Sequence, residues 1–236
     1  GMLGGRRGHV DLIQLCVDGV SEKEPQLVYV LDAHNNGAAF FEYAPMRRML
    51  EDKSVRKVLH CAYGDASALY YEYDIKVSGI LDTAVADCLL RDSPPEARLQ
   101  KRQQRKLNVI LTEHLGDTIP GMTHKSIHVH KPGQFQQRPL PLEYFEYAYE
   151  DVLYLNKLHD YLCAELEAEG LLQLAHELSE MRAPPRALPK EDNAHWPAKE
   201  IVVVFGDARS VVCMQTTDLR KGGEPSLAFP SAPLHS

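Results

Sequence analysis

A tyrosine and an aspartate lie four residues apart in the second half of the chain, and a further aspartate, Asp65, lies well upstream of them. Tyr147 and Asp151 fall within residues 142–162, a segment with apolar residues at helical spacing and no glycine or proline, which predicts a helix. Residues four apart share one helical face. Taken alone, this spacing is more typical of a packed tyrosine and a solvated charge. Its context favours a site that does chemistry.

Several further segments accompany this pair in a fixed order. They are residues 8–15 (GHVDLIQL), 58–65 (VLHCAYGD), 80–83 (ILDT), 107–116 and 137–140 (QRPL). In this order and at these distances, about residues 4 to 165 resemble the ribonuclease D-like branch of the DnaQ (DEDD) 3′-5′ exonucleases. The Tyr-x-x-x-Asp pattern is weak alone and marks the DEDDy subgroup within the ordered set.

The resemblance implies a nuclease that removes nucleotides from the 3′ end of single-stranded RNA or DNA. Such enzymes hold two divalent metals with four carboxylates, two from an Asp-x-Glu on the first strand and two at the positions matched by Asp65 and Asp151. Oxygen ligands of this kind suit Mg²⁺ or Mn²⁺. The tyrosine matched by Tyr147 orients the attacking water.

The first acidic motif is absent from this chain. The family's Asp-x-Glu lies shortly before the stretch matched by Gly5 to Gly8, and only Gly-Met-Leu-Gly precedes that stretch here. Gly1-Met2 has the pattern of a tag remnant followed by a start methionine. The native chain extends upstream, the gene model is truncated, or the protein has given up the chemistry. With two ligands left, two-metal catalysis is expected to be severely impaired.

Two functions follow from different classes. The first is a 3′-5′ exonuclease domain whose activity depends on acidic residues outside this sequence. The second is a catalytically inactive relative that keeps the fold as an RNA-binding or assembly adaptor, a state in which family members are often dimers. An Asp-x-Glu in the natural coding sequence upstream of Met2 would distinguish them.

Composition is that of a globular intracellular protein, cytoplasmic or nuclear. The chain has 236 residues, of which 44% are hydrophobic and 25% charged. No apolar run approaches the ~20 residues of a membrane span, and no signal peptide is visible. Five scattered cysteines without CxxC pairs favour reduced thiols over disulfides or a zinc site. The histidines at 124, 128 and 130 lack a matching acidic or cysteine partner, which disfavours a zinc site there.

Basic residues are concentrated locally although the net charge is −7. That charge argues against indiscriminate coating of nucleic acid. The basic groups around residues 98–138 fit a solvated helix face and a polar loop, or a rim that guides a single strand. The candidate nucleic-acid contacts are Arg102, Arg105, Lys106, Lys125 and Arg138.

The alternation of strands and helices predicts a three-layer α/β fold of the ribonuclease H-like (DnaQ-like exonuclease) type, with helices on both faces of a mixed sheet whose first strand is missing. Asp65 begins a predicted helix, near its positive end or as its N-cap. The predicted strands are residues 10–16, 26–31, 57–60 and 76–81, and the predicted helices are residues 44–52, 65–71 and 83–90.

The chain divides into an exonuclease-like domain (1–174), a Pro-rich linker (175–199) and a C-terminal extension (200–236) with a mobile tail. Residues 201–205 and 210–214 are apolar runs around Gly206-Asp207. The favoured interpretation is a β-hairpin at an outer edge of the sheet. The alternatives are that residues 201–205 replace the missing first strand, which would bring Asp207 towards the site, or that a partner chain supplies the strand.

Overall fold

Five strands form one mixed sheet with helices packed on both faces. The computed structural model describes residues 10–17, 26–43, 46–91, 104–116, 134–183 and 199–205. In chain order the elements are β1 Val10–Val17, β2 Leu27–Asp32, α1 Ala33–Tyr43, α2 Met46–Glu51, β3 Lys57–Leu59, α3 Tyr63–Tyr73, β4 Ile80–Asp82, α4 Thr83–Leu90, α5 Leu107–Leu115, a 3₁₀ turn Gln134–Gln136, α6 Leu142–Leu153, α7 Leu155–Ala168, α8 Leu172–Arg182 and β5 Lys199–Phe205.

The predicted strands and most of the predicted helices are confirmed, with shifted ends. The strand predicted over residues 76–81 is shorter, since β4 begins at Ile80. The helix predicted over residues 142–162 is two helices, because the backbone leaves helical geometry at Tyr154 (φ −108°, ψ 4°). Helix α1 was not predicted; Gly37 and the polar residues before it weaken its helical signal.

The sheet has the strand order β2-β1-β5-β3-β4. Strand β5 lies in its interior, parallel to β1 and antiparallel to β3. The prediction of a hairpin at an outer edge is therefore wrong for residues 201–205, and the alternative of a replacement strand is confirmed. The physical reason is that β5 pairs with backbone groups on both neighbours, which would otherwise lack partners inside the sheet. The hairpin's other strand, residues 210–214, lies outside the described residues.

The direction of β5 decides which of its ends faces the site. Phe205 pairs with Lys57 at the start of β3, and Glu200 pairs with Leu12 near the start of β1. The beginning of β5 therefore lies on the side of the sheet at which β3 ends and α3 follows. Asp207 is outside the described residues, but the strand that leads to it ends at the opposite edge. The expectation that Asp207 approaches the site stays a prediction.

Two apolar layers sandwich the sheet. On one face, Ile13 of β1 shares a buried cluster with α1, α2 and α3. On the other face, Val58 of β3 and Leu81 of β4 are buried with α4, α5, α7 and α8. Both faces being covered explains why β3 and β4 are apolar throughout except at their ends. The predicted three-layer fold is confirmed.

Helix α8 continues through the boundary predicted at Leu174. Ala175 and Ser179 are buried, and the Glu180 Oε1 atom accepts a hydrogen bond from the Ile80 N–H at 2.8 Å. The helix thus packs on β4 and α4, and the part of the chain attached to the sheet reaches at least Arg182. Among the helices of the described residues, none is long and apolar enough to cross a membrane.

Candidate functional site

Asp65 occupies the first turn of α3, directly after the turn that follows β3. Its residue is 4% exposed, and it lies at the third helical position, after an N-cap residue, Ala62, that makes no side-chain cap. The N-cap alternative for Asp65 is therefore wrong. Its place in the first turn puts Asp65 near the positive end of the helix.

Tyr147 and Asp151 lie one turn apart on α6, and both are half-buried. The ring of Tyr147 lies 6.2 Å from that of Phe135 between centroids, and both belong to a small apolar cluster with Leu12 and Ala148. This packing limits the rotation of the Tyr147 ring. The predicted placement of the two residues on one helix is confirmed.

Helix α3, which carries Asp65, and helix α6, which carries Tyr147 and Asp151, cover opposite faces of β1 and β5. Helix α3 packs with Ile13, whereas α6 packs with Leu12, and neighbouring residues of a strand point to opposite faces. Both helices also contact β5. Strands β1 and β5 therefore lie between the helix that carries Asp65 and the helix that carries Tyr147 and Asp151.

One predicted nucleic-acid contact, Arg105, is engaged within the protein. Its guanidinium pairs with the buried carboxylate of Asp87 on α4 and with Glu113 on α5. Burial opposes the ionisation of Asp87, but hydrogen bonds from His114 and Arg105 outweigh it and hold the pKa of Asp87 below its ordinary value. Arg105 would have to leave these partners to bind a phosphate.

A second predicted contact, Arg138, is held at the end of β2. Its Nε donates to Asp32 Oδ2 at 2.7 Å, and Nη1 donates to the carbonyls of Phe135 and Gln137 at 2.6 and 2.7 Å. The hydrogen bond from Arg138 lowers the pKa of Asp32. Lys106 is exposed at the start of α5. Arg102 and Lys125 lie outside the described residues, and the role of all five basic groups stays a prediction.

Asp11 and His34 form a pair that was not predicted from the sequence. They lie where β1 begins, beside the end of β2 that Arg138 contacts. Asp11 is fully buried in β1, and its Oδ1 atom lies 3.0 Å from Nδ1 of the exposed His34. Its Oδ2 atom makes no hydrogen bond to the described residues. Burial raises the pKa of Asp11, although His34, Gln136 and Arg138 oppose that effect. The signal in the sequence was a charged residue inside an apolar strand.

The chain belongs to the 3′-5′ exonuclease family, whose profile matches residues 5–167. A search of the curated proteins gave no significant match. The fold is similar to that of Trypanosoma brucei RNase D, at 19% identity and a TM-score of 0.54 over 83% of this chain and 72% of that one.

Two further solved structures are similar. The Trypanosoma brucei RNase D complex with RNA U12 matches at 19% identity and a TM-score of 0.54, over 83% of this chain and 70% of that one. Brucella melitensis NrnC matches at 21% identity and a TM-score of 0.49, over 74% of this chain and 84% of that one. The RNase D likeness supports the three-layer exonuclease fold.

Exonucleases of this class generally use divalent metal ions. Within residues 10–17, 26–43, 46–91, 104–116, 134–183 and 199–205, no group of three or more His, Cys, Asp or Glu side chains is arranged to hold a metal. Asp65 and Asp151 match two of the four carboxylates that a two-metal centre of this family uses. The described residues therefore supply at most half of the ligand set of such a centre.

Proposed function

We propose that this domain binds the 3′ end of a single-stranded RNA or DNA and hydrolyses its terminal phosphodiester slowly, at a site that comprises Asp65, Tyr147 and Asp151. The observation that carries this proposal is the position of these residues within a chain of the 3′-5′ exonuclease family. Asp65 follows β3 on α3, and the other two share one face of α6, with both helices packed on β1 and β5.

The expected cofactor is Mg²⁺ or Mn²⁺, and Asp65 and Asp151 are the acids of this chain that match its family ligands. They would supply two of the four carboxylates of such a centre, and the assay below measures the activity that this chain has with them. Tyr147 would position the attacking water through its hydroxyl, with the ring held by Phe135.

The test is incubation of the chain with end-labelled single-stranded RNA and DNA in Mn²⁺, Mg²⁺ or EDTA. Shortening from the 3′ end should require the metal and be lost in Asp65→Ala and Asp151→Asn. Tyr147→Phe should slow it roughly tenfold, since losing a positioning group has an effect of this order. Glu143→Gln changes an exposed carboxylate on the same helix and should leave the rate unaltered.

Cleavage that persists in EDTA would contradict the proposed site, as would an Asp151→Asn variant that cleaves at the wild-type rate. A single rate for all variants would indicate a contaminating nuclease.

The second candidate is a catalytically inactive adaptor that binds RNA or assembles with a partner. That partner includes a second copy of this chain, in a homodimer. This candidate is favoured by the incomplete carboxylate set among the described residues and by strand β5, which occupies the interior of the sheet between β1 and β3. Binding of the labelled RNA with no shortening in any metal would select this candidate, and light scattering would give the oligomeric state.

A further inference from the structure

We infer that Asp82 is a positioning residue that sets the placement of Asp65. The two residues lie on different elements: Asp65 is in the first turn of α3, and Asp82 is at the end of β4, where α4 begins. This inference rests on the proposed function, because it assigns Asp82 a role through Asp65. It is carried by a set of hydrogen bonds that converge on one buried carboxylate.

Asp82 is fully buried at the end of β4, where it forms the N-cap of α4. Its Oδ1 atom accepts hydrogen bonds from the N–H groups of Ala84 and Cys61, both at 2.9 Å, and its Oδ2 atom accepts from the N–H of Ala62 at 3.0 Å. One of these three bonds is the local helix cap. The other two reach across from β4 to the turn between β3 and α3.

That turn needs an external support. Cys61 has a φ of +58°, a left-handed conformation that is strained for a residue other than glycine. Helix α3 has no side-chain cap of its own. The Asp82 carboxylate satisfies the two N–H groups that the strained turn directs inward, and it does so only while the turn keeps this shape.

The turn at Cys61 and Ala62 also fixes the start of α3. The N–H of Ala66 donates to the carbonyl of Ala62 at 2.9 Å, so the first helical hydrogen bond begins at a residue that Asp82 holds. Asp65 lies inside that hydrogen-bonded turn. A shift of Cys61 and Ala62 would therefore move the Asp65 backbone with them.

Asp82 is itself held from the other side. Its N–H donates to Ser179 Oγ at 3.0 Å, and Ser179 Oγ donates to the carbonyl of Ala175 at 2.7 Å within α8. A connected set of hydrogen bonds thus runs from α8 through the end of β4 to the turn that carries Asp65. Residues outside the exonuclease motifs take part in it.

The decisive variants are Asp82→Asn and the double variant Asp82→Asn/Cys61→Gly. An asparagine side chain keeps the shape but presents an NH₂ group where one oxygen accepted, so a donor faces a donor. Glycine adopts a φ near +58° without steric cost, so it should restore the turn without the carboxylate. Leu89→Ala, a cavity variant at the far end of α4, is the matched control for lost stability.

With Mn²⁺ and labelled single-stranded RNA, at a temperature where all variants are folded, Asp82→Asn should lower kcat tenfold or more and change KM less than about twofold. Misplacement by about 1 Å has effects of this size. Adding Cys61→Gly should recover a large part of kcat, whereas Leu89→Ala should keep the wild-type kcat. An unchanged kcat in Asp82→Asn, or no recovery in the double variant, would overturn the inference.

Amide hydrogen exchange separates this inference from the proposed function. If the wild-type chain does not cleave, the proposed function fails, and exchange then decides the inference alone. Asp82→Asn should speed exchange in the peptide containing Cys61 and Ala62 at least tenfold beyond Leu89→Ala. Ser179→Ala, a milder change should Asp82→Asn not fold, should act in the same direction. Equal exchange in Asp82→Asn and Leu89→Ala would overturn the inference.

Discussion

Lys57 should make the stability of this protein rise with pH above neutrality. The residue is fully buried in β3, and its Nζ donates to the carbonyls of Met49 and Asp52 at 3.0 and 2.6 Å, with no carboxylate in direct contact among the described residues. Burial lowers the pKa of Lys57 from its ordinary value of 10.5 to about 8, although the charges of Asp52 and Glu180 oppose the change.

The sign follows from proton binding. Between pH 8 and 10.5 the unfolded chain keeps the Lys57 proton that the folded protein has released, so the free energy of unfolding rises with pH. Below pH 8 both states are protonated, and the burial of the charge destabilises the fold fully. The difference between the two pKa values corresponds to roughly 3 kcal/mol, at about 1.36 kcal/mol for each pKa unit.

The assay compares wild type with Lys57→Met in urea from pH 7.5 to 10. Other groups titrate in this range: the pKa values of Cys88 and Cys163 are raised by burial, and their effect is present in both proteins. The wild type should therefore gain roughly 2 kcal/mol or more relative to Lys57→Met across this interval. Parallel stability curves would refute the reasoning and show that water or a carboxylate solvates the Lys57 charge.

Two further expectations concern the sheet and the buried charges. A chain ending at Ala183 lacks β5 and leaves the facing edges of β1 and β3 unpaired. It should therefore self-associate more than the full chain in size-exclusion chromatography. Identical elution and melting temperature of the two chains would place β5 outside the sheet. Asp87→Asn should lower the free energy of unfolding by roughly 1–3 kcal/mol at pH 7, because it removes charge-assisted hydrogen bonds to a buried carboxylate, while Arg105 stays partly exposed and keeps Glu113 as a partner. The pKa of Asp87 is depressed, so this stability is present above its ordinary pKa of 3.8 and is lost as pH falls through the folded value. The gap to the variant should therefore begin to narrow below pH 3.8. A gap that stays constant down to acid pH would contradict the depressed pKa.

The sequence alone was sufficient for the fold class and for the elements with a strong local signal. Strand β1, strand β3 and helix α4 were predicted within a residue or two, because their apolar pattern extends over the whole element. The ordered motifs also identified the family, and Tyr147 and Asp151 were placed on one helix by their spacing alone. These are properties of neighbouring residues, which local physics determines.

Tertiary structure decided the position of β5 and the partners of the charged groups. An apolar run such as residues 201–205 suits both an edge hairpin, which the sequence favoured, and an interior strand. The choice depends on unpaired backbone groups of β1 and β3, which lie far away in the chain. The same holds for Asp82, whose cap of α4 is readable from sequence, whereas its bonds to Cys61 and Ala62 exist only because β3 and β4 lie side by side. Periodicity encodes which face of an element is buried, but not which distant element covers it.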